Sequence, residues 1–486
     1  MKKMNLLVMS LVSAAALSFT SCSSDDDLAN DKAGQAKVDK FYMTLTVQTP
    51  TSNGTRTAQN NPCEASKEES YVTSGTFYLV DANGKIAKSI TIDEQAWADA
   101  KVPQQGKDGK TTLQVPVDKV TAGTKYSVYF LANATSASPL TDVFTSDLAN
   151  KFAKKYSEAN NFAMFNENDA EVKGDSHTVV FTSDNKDANS PAKVSDIIKI
   201  DRLTARIDEP TSEATNIKNY DDVENATPTP EQKKANEEAR KAVKGVTLTR
   251  YAISNVANKT NVMQQWADAE CTTLSIPEGI TYFQPTSEFG TKTLLQNDGY
   301  FKAVTTDRLN KDYIFENNSS EDATSMYFEY TVELNKEYQD KADIKDGTFY
   351  RYNKVIYSSI QDIINDYQDQ KAIFDGKDAA KVVEELKAAK NDDTDPEAKL
   401  DEFRKKYDIE VFNEGKTYYV QKIKDQYLTA ENTIQRNSIY LLNVKNIFNV
   451  GAQVPNGGPD DRTLYYLEVE VSVNPWVLNT QDVNLQ

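Results

Sequence analysis

The chain has 486 residues, 55 basic against 73 acidic, for a net charge of −18. A chain this acidic offers no surface that could neutralise a phosphate backbone, which excludes nucleic acid as a partner. The length allows two or three domains, and 25 tyrosines among short alternating runs favour β structure.

At the N-terminus, Lys2 and Lys3 precede an apolar run from Leu6 to Leu17, then Thr20-Ser21-Cys22. This is the pattern of a secretory signal peptide over residues 1–21, with an apolar run too short to span a bilayer stably. Ser21 as the small residue before the cut and Cys22 directly after it point to a bacterial lipoprotein, Cys22 carrying the lipid (palmitate). An ordinary signal peptide with an incidental cysteine is the plainer alternative. Ser23 to Asp27 is an acidic, solvated tether. No other segment is apolar enough to cross a membrane as a helix.

Phe41 to Asn61 combines two features that do not usually sit together. Phe41, Met43, Leu45 and Val47 alternate with Tyr42, Thr44 and Thr46, which predicts a half-buried strand. Pro50 and the polar run Thr51 to Thr55 then break the pattern and leave Arg56 in an exposed loop. Burying the four apolar side chains stabilises by about 6–12 kcal/mol, comparable with the whole stability of a domain at about 5–15 kcal/mol.

Further along, Thr76 to Val80 and Lys85 to Ile92 flank an Asn83-Gly84 turn, a strong hairpin signal. Leu113 to Val117, Lys125 to Ala132 and Ile197 to Ile207 read as strands. Pro230 to Val243 reads as a charged helix inside a polar insertion, and Gly245 to Val256 as the strand that closes a first domain near residue 262. In the second half three stripes recur at helical spacing: Ile360, Ile363, Ile364 and Tyr367; Ala379, Val382, Val383 and Leu386; Leu400, Phe403 and Tyr407. They predict a helical insertion over 358–408 that packs on the local sheet. Asp395-Pro396 is an N-cap followed by proline at the first helical position, which reads better than a calcium loop lacking its glycine. Lys416 to Ile423, Ser438 to Ile447 and Leu464 to Val473 finish the chain as strands, and Pro475, lacking an N–H, should end the last one. The fold class is mainly β: two β-sandwich domains in tandem, the second carrying helices.

Catalytic chemistry has little support. His177 is the single histidine and stands in a polar run that reads as a surface loop. No His/Cys cluster has zinc spacing and no glycine-rich loop could hold a phosphate, so no metal, cofactor or enzymatic activity is expected. With Cys22 lipidated, Cys63 and Cys271 could form one disulfide, which the sequence leaves open.

The stretch Arg436 to Gly451 resembles the RN-x-x-Y strand of fimbrillin C-terminal domains, with Arg436, Asn437, Tyr440 and Gly451 matching. Val469 to Thr480 resembles the strand and Pro-Trp pair that close that domain, while Lys125 to Ala134 and Ile200 to Ile207 resemble two strands of the N-terminal domain. In this order and spacing the chain resembles the type V pilins of Bacteroidales, most like the shaft subunit of short (Mfa-type) fimbriae. The resemblance implies transthyretin- or immunoglobulin-like sandwiches and a life history. The precursor is an outer-membrane lipoprotein; a surface arginine-specific protease cuts it between Arg56 and Thr57. The strand bearing Phe41, Met43, Leu45 and Val47 is shed, and the C-terminal strand of a neighbour fills the groove.

On that reading the domains are 22–56 as lipidated propeptide, 57–262, 263–475, and a donor strand over 476–486 with Val477, Val483 and Leu485 on one face. The partners are further copies of the chain, accessory anchor and tip subunits, and host or bacterial receptors. The product is an extracellular fimbrium serving adhesion and biofilm formation. The rivals are a monomeric surface lipoprotein that binds glycans through its tyrosines, and a tip or anchor subunit of such a fimbria.

Overall fold

The computed structural model describes residues 40–49, 63–101, 109–134, 139–169, 173–224, 226–283, 301–368, 373–425, 428–430, 432–455 and 467–477. The N-terminal strands are β1 (Lys40–Gln48), β2 (Cys63–Glu64), β3 (Gly75–Val80) and β4 (Ile86–Ile92). Helix α1 (Glu94–Ala100), β5 (Lys110–Asp118), β6 (Lys125–Ala132), β7 (Met164–Asn166), β8 (Thr178–Val180), β9 (Ala192–Lys193) and β10 (Ile198–Arg202) follow. They build a nine-stranded sheet in the order β9-β1-β10-β7-β6-β3-β4, with β8 on β6 and β5 on β1. The β3–β4 hairpin turns where expected; Gly84 takes φ +79°, which its lack of a Cβ permits, and Asp81 accepts from the Asn83 N–H at 2.8 Å.

Strand β11 (Ala205–Asp208) begins a second assembly. The run Ile197 to Ile207, expected as one strand, is two. The chain leaves the first sheet after Arg202 and joins a six-stranded sheet at Ala205. Leu203, fully buried between them, packs with Tyr78, Tyr129 and Phe165. This crossing does not coincide with the boundary expected near residue 262. Helix α2 (Pro230–Ala242) is closed by a capping box in which Thr229 accepts from the Gln232 N–H. Strand β12 (Val243–Ser254) then pairs antiparallel with the later β14 (Ser325–Leu334), so it belongs with the C-terminal strands.

Between them β13 (Lys311–Ile314) pairs with β11. Next come β15 (Phe349–Tyr352), β16 (Val355–Tyr357), α3 (Ile360–Asp366), α4 (Ala379–Lys390), α5 (Pro396–Tyr407) and β17 (Glu410–Phe412). The three predicted stripes meet β15–β17 in a separate core of Tyr350, Ile360, Ile363, Val382, Leu386, Leu400, Phe403 and Val411. The insertion is therefore a small lobe rather than a set of exposed helices. Asp395 caps α5 by accepting from the Ala398 N–H at 3.1 Å, with Pro396 at the first helical position. Strands β18 (Lys416–Lys422), β19 (Ser438–Ile447) and β20 (Leu467–Val477) complete the chain. The β2-β20-β19-β11-β13 sheet and the β12-β14-β18 sheet enclose a core that includes Ile207, Tyr251, Phe328, Tyr330, Tyr419, Tyr440, Leu442 and Val444. The fold is thus mainly β, with sandwiches in tandem and a helical lobe in the second.

Candidate assembly site

Strand β1 lies inside the N-terminal sheet, not at its rim. It runs antiparallel to β5 through all nine residues, from Lys40 opposite Asp118 to Gln48 opposite Lys110. On its other edge it runs parallel to β9 at Met43 and Thr44, and to β10 at Val47 and Gln48. The alternation read from the sequence is the alternation observed: Phe41, Met43, Leu45 and Val47 are 2%, 0%, 3% and 2% exposed. They pack with Leu113, Val115, Val117, Phe130, Phe181, Ile198 and Ile200. Phe181 tilts against Phe41 with ring centroids 5.6 Å apart, and the Lys186 ammonium stands over the same ring. On the opposite face Thr44 donates to the Leu113 carbonyl at 3.2 Å, and the Thr46 and Thr112 hydroxyls share a 2.7 Å hydrogen bond.

Strand β5 has no other strand partner among the described residues; an isolated bridge from Lys101 to Leu113 is its one additional ladder contact. Removal of β1 would therefore strand β5 and open a slot with unpaired backbone on both walls. Sequence reasoning found β1 and β5 separately, but nothing local in Leu113 to Val117 identifies the partner.

At the other end of the chain the sequence expectation needs correction. Strand β20 does not stop at Val473; it continues through Pro475 to Val477. Pro475 faces Ser438, the terminal pair of the β19–β20 ladder, where a missing donor costs least. Trp476 and Val477 pair in parallel with Cys63 and Glu64 of β2. Val477, assigned to a free donor tail, is therefore part of the resident sheet. Cys22, Arg56, Thr57, Val483 and Leu485 lie outside the described residues.

A buried polar network joins Glu69, in the segment after β2, to the end of β10, to β11 and β13, and to the residue before β19. Glu69, 2% exposed, accepts from Arg206 Nη1 at 3.1 and 3.2 Å, from the Tyr313 hydroxyl at 2.6 Å, from Lys311 at 3.2 Å and from the Ser66 N–H at 2.7 Å. Burial alone would raise its pKa, but Arg206, Tyr313, Ser66 and Lys311 outweigh it and hold the carboxyl at about 2. Arg202 donates to the Glu69 carbonyl at 2.8 Å and to Asn437 Oδ1 at 2.9 Å, and Asn437 in turn donates to Asp201 at 2.8 Å.

The four residues that carried the resemblance are structural. Arg436 is buried and reaches Glu316 at 2.8 Å and the Val262 carbonyl at 2.9 Å. Asn437 adopts φ +55° at the start of β19. The Tyr440 hydroxyl donates to Asp425 at 3.0 Å. Gly451 has no room for a Cβ, which would stand 2.3 Å from the Tyr418 carbonyl oxygen.

Two further expectations change or resolve. His177 is buried, not a surface loop residue, because its carbonyl accepts from the Val128 N–H at 2.7 Å and draws it into the sheet. Burial lowers its pKa. Cys271 is a free thiol.

Residues 410–482, running from β17 past β20, match the family model described as major fimbrial subunit protein type IV, fimbrillin, C-terminal. Arg436, Asn437, Tyr440, Gly451 and the Pro475-Trp476 pair all fall inside that segment. No curated protein matches the chain. Among solved structures, a candidate cell adhesion protein from Parabacteroides distasonis superposes with a TM-score of 0.44 at 12% identity, over 90% of this chain and 97% of its own. A fimbrilin from Porphyromonas gingivalis gives 0.43 at 12%, over 91% and 99%. The fimbrial anchor protein Mfa2 of the same organism gives 0.27 at 9%, over 90% and 99%.

Proposed function

We propose that the chain is a structural subunit of a surface fimbria, exported as a lipoprotein on Cys22 and matured by hydrolysis of the Arg56–Thr57 peptide bond. The observation that carries the reading is the position of β1. It is a core strand whose four apolar side chains are almost fully buried and on which β5 depends for its place in the sheet. Yet it is joined to the rest of the chain through the polar segment that holds Arg56. A cut there frees a strand that contributes about as much as a whole domain's net stability. The emptied slot then demands a replacement.

The replacement is the C-terminal tail of a neighbouring copy. With Trp476 and Val477 held in β20, the remaining tail runs from residue 478 to 486, nine residues (486 − 477), the same number as β1. Extended at roughly 3.3 Å per residue it reaches about 30 Å. The distal part with Val483 and Leu485 inserts while the proximal part spans the gap between subunits. An incoming strand would run as β1 runs, antiparallel to β5. Accessory anchor and tip subunits and surface receptors complete the fibre, which serves adhesion and biofilm formation.

Edman sequencing of purified fibres tests the reading. The expected N-terminus is Thr57; a chain that still begins at Cys22, or one cut elsewhere, would overturn it. In the Cys22→Ser variant palmitate labelling should disappear.

A further inference from the structure

A chain matured by an arginine-specific cut after Arg56 must keep its other arginines from the same protease. Arg202, Arg206, Arg351, Arg404 and Arg436 are buried. Arg250 is half-buried and donates to the Phe301 carbonyl at 2.8 Å. Arg240 is exposed but lies in α2, where helical hydrogen bonds hold the backbone. Arg308 has neither protection. It is exposed in a loop outside any helix or strand, next to Leu309, which is 72% exposed. Exposed loop tips of this kind are the preferred places for proteolytic nicking.

A carboxylate holds this loop shut. Glu209, one residue past β11, is 3% exposed and takes hydrogen bonds from both ends of the loop. It accepts from the Thr305 N–H, from the Thr305 hydroxyl at 3.0 Å, from the Asn310 N–H at 3.2 Å and from Asn310 Nδ2 at 2.8 Å. Its own N–H donates to the Asn310 carbonyl at 3.1 Å, continuing the β11–β13 ladder. The Leu309 N–H, the amide of the Arg308–Leu309 bond, donates to the Thr305 hydroxyl at 3.0 Å. Arg308 itself stands at φ +52°, far from the extended backbone in which a protease cleft takes up a substrate as an added strand. Hydrolysis of that bond therefore waits on the loop breaking these contacts and opening.

We propose that Glu209 is a positioning residue that confines maturation to one bond, by keeping the Arg308–Leu309 peptide out of an arginine-specific active site. This rests on cleavage after Arg56 being the maturation step. With the clamp open, the same protease and one water would hydrolyse the bond and sever the chain just before β13, which carries Lys311 and Tyr313 of the Glu69 network.

The test is digestion of the purified full-length precursor by an arginine-specific endoprotease, read by intact mass. The wild type should be cut after Arg56 and spared after Arg308. Glu209→Ala should be cut after Arg308 at least about tenfold faster than wild type, because several charge-assisted hydrogen bonds close the loop and cleavage tracks the open population. Arg308→Lys in that background should remove the new cut. Further cuts after Arg202, Arg206 or Arg436 would mark unfolding of the whole chain. The milder Asn310→Ala then decides, with about fivefold faster cleavage after Arg308 expected from the lost side-chain hydrogen bonds. A wild type cut after Arg308 as fast as after Arg56 would overturn the proposal. So would Glu209→Ala and Asn310→Ala chains that resist there as the wild type does. A wild type uncut after Arg56, with the variants opening at Arg308 as stated, supports the clamp and refutes the maturation reading.

Discussion

Leu45→Ala separates a strand that stays from one that leaves. Leu45 is 3% exposed and stands opposite Leu113, itself fully buried, in the middle of the nine-residue β1–β5 ladder. Truncating a leucine at such a site costs about 2–5 kcal/mol, the transfer term plus the cavity left behind. At 1.4 kcal/mol per factor of ten, about 3 kcal/mol is a change of more than a hundredfold in the unfolding equilibrium. The uncleaved chain, held uncut by Arg56→Ala, should show this as a fall in the urea midpoint with little change in slope. Fibres assembled from cleavable Leu45→Ala chains should unfold like wild-type fibres, because β1 is no longer in them. An equal loss in precursor and fibre would refute the reasoning, since β1 would then still fill its slot after maturation.

Other outcomes follow from the same contacts. The Glu69 carboxyl is held at about 2 against an ordinary 4.5, so it stabilises the fold above about pH 4.5. That contribution, about 3 kcal/mol, is lost as pH falls towards 2; Glu69→Gln should destabilise the chain at pH 7 and flatten the acid limb of its pH–stability curve. Gly451→Ala, which sets a methyl 2.3 Å from the Tyr418 carbonyl oxygen, should cost about 1–3 kcal/mol and lower the thermal midpoint. Deleting Gln481 to Gln486 should leave folding, export and cleavage intact and stop polymerisation; normal fibres from the truncated chain would count against the donor role of the tail.

The sequence made local features legible and long-range ones obscure. The alternation of β1, the Asp395-Pro396 start of α5 and the Asn83-Gly84 turn are each written in a few consecutive residues, and each appears where it was read. The break after Arg202 is recorded only as a change of phase, Ile198 and Ile200 sharing one parity and Leu203, Ala205 and Ile207 the other, which the reading of Ile197 to Ile207 as one strand passed over. His177 looked exposed because its neighbours are polar, whereas its burial follows from a backbone hydrogen bond to β6, far away in sequence. Pro475 looked like a strand terminator because its missing donor is a local fact, while its tolerance depends on lying opposite the end of β19. The dependence of β5 on β1, on which the assembly site turns, is a matter of pairing partners, and strand pattern alone does not name them.

The most direct measurement is a cryo-electron microscopy map of the fibre at side-chain resolution, read in the slot between β5 and the parallel strands β9 and β10. The account predicts density there for residues of a neighbouring subunit's C-terminal tail, with Val483 and Leu485 in pockets that Phe41, Met43, Leu45 and Val47 vacated. Density for Phe41 to Val47 of the same chain in that slot would contradict it.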